Sequence, residues 1–215
     1  MTKISFELFG LTLLEPMAFL FNWLLMVQSI IYYRQLSKYV QSRFSSIFNW
    51  FFFFMAISFF LGGITHLTYH YTGQTWKIPG WIAALLAVSA VEYAVALNSK
   101  TSLRFPLVLF TLFKLTLLGS LTIITLSFTY VMIHTSFLLL FLLVPAITKR
   151  AYYQYFALGI FFLLAALPVK ILELDLHAWF NRDDISHALM LGTLWSFCRG
   201  IRFVENNHTP ALVKP

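Results

Sequence analysis

Apolar residues run through this chain in blocks near twenty residues long, broken by short polar or basic stretches. A helix rises about 1.5 Å per residue, so each block is long enough to cross a hydrocarbon core roughly 30 Å thick. The pattern predicts seven membrane-spanning helices, at 11–33, 47–69, 80–97, 105–123, 128–147, 152–171 and 185–204. The apolar stretch 105–147 is too long for one helix, and Gly119, Ser120 and the Thr/Ser residues up to Thr129 suggest a tight turn inside it. The expected fold is all-α, a polytopic seven-helix bundle forming one integral membrane domain.

Composition agrees with that pattern. The 215 residues are 60% hydrophobic and 11% charged, and mean hydropathy is +0.78. A water-soluble domain is about half apolar and a quarter charged. The first block resembles a signal peptide, but Glu15 and Pro16 interrupt it and no small-residue cleavage site follows, so it is expected to stay in the mature protein. Cys198 is the single cysteine, which excludes an intrachain disulfide and a thiolate-rich metal site.

The net charge of +7 sits in short loops, not on one basic face, which argues against nucleic acid as a partner. No phosphate-binding glycine loop points to a nucleotide. Ten basic residues fall on one side of the expected bundle: Arg34, Lys38, Arg43, Lys100, Arg104, Lys149, Arg150, Arg199, Arg202 and Lys214. The other side has Lys3, Lys77, Lys170 and Arg182. By the positive-inside rule the amino terminus faces outward and the carboxyl terminus lies in the cytoplasm. The setting expected is an integral membrane one, with membrane lipid as solvent. Residues 170–184 mix leucines, Trp179 and Phe180 with acids and are expected to lie along the outer interface.

Ionisable side chains inside a bilayer cost a few kcal/mol on insertion scales, so each one within a span is a functional candidate. The set is Glu15 with Asn22, His66 and His70, Glu92, Lys114, His134 and His187. Glu15, His66, His70 and His187 all fall in the outer leaflet. Asp183 and Asp184 precede His187 by four and three residues, which puts carboxylate and imidazole on one helical face. Zinc takes neutral imidazole and carboxylate oxygen, and three protein ligands with one water suffice for a catalytic site. His66, His187 and one of the two aspartates would supply them. Gly62 and Gly63 remove bulk one turn below His66, where a neighbouring helix or a ligand can approach.

His70 lies among Tyr69, Tyr71 and Trp76, an ordinary interfacial aromatic belt, and is the weaker histidine. Glu15 and Asn22 share one helix face and suit a supporting role, a carboxylate behind a metal-bound imidazole or a proton acceptor. Glu92 and Lys114, on antiparallel helices at similar depth, are expected to form a buried ion pair.

Glu15-Pro16, Gly62-Gly63-Ile64-Thr65-His66 and Asp184-Ile185-Ser186-His187, in this order on the first, second and seventh spans, resemble a superfamily of seven-helix membrane hydrolases. It includes the alkaline ceramidases, the Per1-type lipid-remodelling proteins and the adiponectin-receptor group, and the chain looks most like a bacterial branch. In the ceramidase-like members one second-helix and two seventh-helix histidines bind zinc, assisted by a serine and an aspartate. This chain departs from that set. Gly62 stands where the serine is expected and Asp183 where the second histidine is expected. The resemblance implies that Asp183 or Asp184 replaces the imidazole, that Thr65 or Ser186 supplies the hydroxyl, and that Glu92 stands in for a third-helix aspartate.

The function expected is zinc-dependent hydrolysis of a lipid amide or ester by metal-bound water. His66, His187 and Asp184 would be the ligands, Asp183 an alternative ligand or general base, and Glu15 a supporting carboxylate. Other classes stay open. Glu15, Glu92, Lys114 and His134 would be the stations of a proton-coupled transporter or channel, His66 and His187 the axial ligands of a haem, and a noncatalytic receptor would need neither.

Overall fold

The computed structural model describes residues 4–148, 153–177 and 179–208. The basic residues Lys3, Lys149, Arg150 and Lys214 of the charge count lie outside them.

Residues 5–14 form a β-hairpin instead of opening the first helix. β1 (Ser5–Leu8) pairs antiparallel with β2 (Leu11–Leu14), Ser5 opposite Leu14 and Leu8 opposite Leu11. Phe9 and Gly10 make the two-residue loop with φ of 51° and 76°, the doubly positive combination whose twist suits tight hairpins. The first expected span, 11–33, is therefore corrected to α1 (Pro16–Ser37). Pro16 suits the first helical position because its φ is already near the helical value and its missing N–H would have had no partner there.

Seven further helices follow among the described residues: α2 (Arg43–Leu67), α3 (Tyr69–Thr72), α4 (Ile78–Leu97), α5 (Thr101–Thr125), α6 (Thr129–Thr148), α7 (Tyr153–Ile171) and α8 (Arg182–His208), with a 3₁₀ turn at Thr75–Lys77. The Ser42 side chain caps α2 by accepting from the Ser45 N–H at 3.2 Å. The expected turn within 105–147 falls at Leu126, in the left-handed region with φ 51°, and Gly119 stays inside α5. Among the described residues five helices are long and apolar enough to cross a membrane: Pro16–Ser37, Arg43–Leu67, Thr75–Leu97, Thr101–Thr125 and Gln154–Ile171. α8 is outside that group because it carries Arg182, Asp183 and Asp184 at one end and Arg199, Arg202 and Glu205 at the other.

Six long helices close into a ring in which α1 packs on α2, α2 on α4, α4 on α6, α6 on α7, α7 on α8 and α8 back on α1. α5 lies outside this ring, against α4 and α6. Phe48, Phe52, Phe156 and Phe197 are fully buried and form the apolar floor of the bundle. Below that floor the Glu205 carboxylate accepts from the backbone N–H groups of Gln41 and Ser42 at 2.9 and 3.2 Å and from the Ser42 hydroxyl. Burial pushes this carboxyl up, but the donors outweigh it and hold Glu205 below the usual glutamate range. The carboxyl end of α8 is thus tied to the α1–α2 connection.

Candidate functional site

The opposite end of the ring brings together the start of α1, the end of α2, the end of α7 and the start of α8. Glu15 is the residue before α1 and takes the left-handed conformation, φ 50° and ψ 57°. That conformation is costly for a residue with a side chain and persists where surrounding contacts impose it. The Glu15 N–H donates to Ile4 O at 3.0 Å, an extension of the hairpin. The hairpin therefore sets the turn that aims a buried glutamate at α2, where the Glu15 carboxylate lies 2.7 Å from His66 Nδ1.

The start of α8 is fixed by reciprocal capping. Asn181 Oδ1 accepts from the Asp183 N–H at 2.7 Å and the Asp184 N–H at 3.4 Å, while Asp184 Oδ2 accepts from the Asn181 N–H at 3.0 Å. Asp184 is 1% exposed, and its other oxygen has no hydrogen-bond partner among the described residues. Burial pushes its carboxyl up to about 6, against the pull of the Asn181 N–H, and the nearby Asp183 and Glu15 charges add to the rise. Asp183 makes an ion pair with Lys170 at the end of α7. Burial pushes the Asp183 carboxyl up, but the Lys170 ammonium, helped by His66 and His187, holds it below the usual aspartate range.

The raised Asp184 value carries a stability consequence. Between the ordinary value of 3.8 and about 6 the folded chain holds a proton that the unfolded chain has lost, so stability falls as pH rises through that window. Asp184→Asn keeps the capping acceptor and removes the buried charge. It is expected to be more stable than wild type at pH 8 by about 1–3 kcal/mol, with the difference gone at pH 4. Unfolding in detergent at the two pH values checks it; a variant less stable at pH 8 would show that the ionised carboxylate is needed.

His187 sits one turn beyond Asp183. Its Nε2 lies 3.3 Å from Asn22 Nδ2, which also donates to Ala18 O at 2.7 Å. The two amide hydrogens make Asn22 a donor to both, so His187 Nε2 is the acceptor and Nδ1 carries the proton. Nδ1 is buried with no partner among the described residues. The glycines of α2 permit this bridge. A Cβ on Gly62 would come within 3.0 Å of Asn22 Oδ1, and one on Gly63 within 2.8 Å of Trp23 Cδ1. The neighbour that uses their lack of bulk is α1.

The His66 and His187 rings stand edge to face with centroids 6.2 Å apart. Both line a cavity of about 340 Å³, together with Asn22, Thr65, Lys170, Asp183 and Ser186 at its polar end. The cavity continues between Phe51, Met55, Phe59, Val88, Leu138 and Leu163. Thr65 and Ser186 turn their hydroxyl hydrogens back to their own helices, at Leu61 O and Arg182 O, and keep only acceptor capacity toward the cavity.

Zinc needs about three protein donors converging near roughly 2.0–2.2 Å of one point. Among the described residues no three His, Cys, Asp or Glu side chains group in that way. The reasons are local: Lys170 holds Asp183, one Asp184 oxygen caps α8, and Asn22 engages the unprotonated nitrogen of His187. The imidazoles face each other, but no third donor joins them.

A family profile matches residues 17–206, nearly the whole chain, and its description is a family of unknown function, DUF6962. The chain belongs to this family. No curated protein and no solved structure matches it. Asn22, His66, Asp183, Asp184 and His187 fall within the part that matches DUF6962, and Glu15 precedes it by two residues.

Two other residue groups of this DUF6962 member stand apart from the cavity's polar end. His70 is exposed and packs edge-on against Tyr71 at 4.9 Å, in α3 beyond the break at Thr68 that ends α2. Glu92 pairs with Lys114 in the core, away from the two imidazoles. Lys114 Nζ also reaches His134 O at 3.3 Å, and the Ser89 hydroxyl lies 3.1 Å from His134 Nε2. In the sequence Lys170 counts only as a basic residue of the outer side, whereas the structure puts it on the cavity wall. Its signal is the pair of acids across the short α7–α8 connection.

Proposed function

We propose that the chain is an integral membrane hydrolase of a lipid amide or ester, crossing a bacterial inner membrane seven times with its amino terminus outside and its carboxyl terminus in the cytoplasm. The observation that carries this reading is a glutamate–histidine pair in which buried Glu15 backs His66 on the wall of the cavity, at its polar end. The positive-inside rule supports the orientation, since Arg34, Arg43, Lys100, Arg104 and Arg202 belong to the end of the bundle opposite His66.

In this reading Glu15 accepts from His66 Nδ1–H and leaves Nε2 free to take a proton from water as the water oxygen attacks the substrate carbonyl. His66 then returns that proton to the departing amine or alcohol. The acyl chain occupies the apolar reach of the cavity between Met55, Phe59 and Leu138. Zinc dependence is a second reading, favoured by one observation: a carboxylate on the far nitrogen of an imidazole is the arrangement that orients metal-bound histidines. It requires Asp183 to leave Lys170, or another donor to join the two imidazoles.

The test is fatty-acid release from long-chain esters and amides in vesicles holding the purified protein, with His66→Ala protein prepared alongside as the blank. Release above that blank supports the proposal, and none from any lipid of either class sinks it. Metal content of the same preparations separates the two readings. Stoichiometric zinc lost in His66→Ala and in His187→Ala selects the zinc-dependent one.

A further inference from the structure

Lys170 belongs to the same cavity as His66 and His187 but has no part in the proton transfer above. Its ammonium has three donors, and among the described residues its one hydrogen-bonding partner is Asp183. Asp183 is in the first turn of α8, where backbone N–H groups favour negative charge. Capping by Asn181 holds that turn in place. The ammonium is thus anchored from a neighbouring helix while two of its donors stay uncommitted, at the point where an apolar cavity becomes polar.

We propose that Lys170 is the cation that binds a ligand's anionic oxygen at the polar end of the cavity, with Asp183 as its positioning residue. Its chemical consequence rests on the hydrolase reading. When water attacks the carbonyl, the new C–O bond forms, the carbonyl electron pair moves onto oxygen, and the water proton goes to His66. That oxyanion is where a fixed positive charge acts most strongly, because the charge exists in the transition state and not in the substrate. Breaking the C–N or C–O bond then returns the electron pair to the carbonyl, and the leaving group takes the proton from His66. Lys170 keeps its protons throughout and does the electrostatic work for which a metal would otherwise be needed.

The experiment uses the full chain in detergent and two probes with the same tail, dodecylphosphonate with a tetrahedral anionic head and dodecanol without charge. Lys170→Met is expected to weaken phosphonate binding about 10- to 100-fold, the range for a hydrogen bond to a charged group, and to leave dodecanol binding unchanged. Lys170→Arg keeps the cation and is expected to stay within a few-fold of wild type. Lys77 also lines the cavity, but its ammonium lies over the Tyr69 ring at 4.7 Å; Lys77→Met is expected to leave phosphonate binding within a few-fold of wild type, and a loss as large as that of Lys170→Met overturns the assignment to Lys170. Equal phosphonate affinity in wild type and Lys170→Met overturns the assignment. If Lys170→Met also loses dodecanol, Lys170→Arg decides: retained phosphonate binding supports the assignment and its loss overturns it.

Lipid turnover then identifies the source of the anion. A fall in kcat with KM unchanged in Lys170→Met places the charge on the reaction's oxyanion, whereas a rise in KM alone assigns it to a headgroup phosphate. Lys170-dependent phosphonate binding in a chain that releases no fatty acid leaves this site standing and removes the hydrolase reading.

Discussion

Lys114→Met is expected to lower the unfolding free energy by about 3–5 kcal/mol, and adding Glu92→Gln to recover most of that loss. Glu92 is fully buried and Lys114 is 4% exposed. α5 lies outside the ring, so Lys114 must send its ammonium inward between α4 and α6 to reach Glu92 and the His134 carbonyl. The Phe137 ring covers the charge at 4.9 Å. Removing the cation alone leaves a carboxylate with neither water nor a counter-charge, and its second oxygen already has no partner among the described residues. Converting both members to neutral side chains removes the desolvation cost as well as the attraction, so the double variant should lie within about 1–2 kcal/mol of wild type. Denaturant unfolding of the four proteins of this cycle in one detergent measures the coupling. Additive losses would mean that the two charges are stabilised separately, not by each other.

The helices are legible in the sequence because twenty apolar residues in a row have few other stable arrangements. Their ends are less so, and for identifiable reasons. Leu11–Leu14 continue the apolar run of α1, and the hairpin turn is Phe9-Gly10 in place of an Asn-Gly or Asp-Gly pair. The α5–α6 break depends on a left-handed Leu126, a residue that carries no turn signal. At the site, reading which helix ends share a leaflet is enough to bring Glu15, His66, Asp183, Asp184 and His187 to one end of the bundle. Side-chain partners are a different matter. Asp184 has a capping role because Asn181 precedes it by three residues, and Asp183 engages Lys170 because α7 and α8 pack side by side. The first choice is made by local capping and the second by tertiary packing, and each engages an oxygen that ligand spacing alone would assign to a metal.

His66→Ala is expected to reduce kcat for lipid hydrolysis by about 10²–10⁴-fold, the range supplied by a positioned general base. Glu15→Gln tests the other half of the pair and is the more discriminating change. A glutamine at this position can still accept from His66 Nδ1–H through its amide oxygen, so the ring keeps its place, but the negative charge that stabilises a protonated imidazole is gone. Turnover should therefore fall at least tenfold while KM changes little, since the charge matters once His66 has taken the proton and not before. The left-handed backbone at Glu15 separates this effect from a folding defect: the hairpin and the Ile4 hydrogen bond impose that conformation through the main chain, so the amide variant should unfold at the wild-type temperature. A Glu15→Gln protein with unchanged turnover would leave His66 without a partner in the chemistry, and the glutamate as no more than the residue that seats the hairpin on α1.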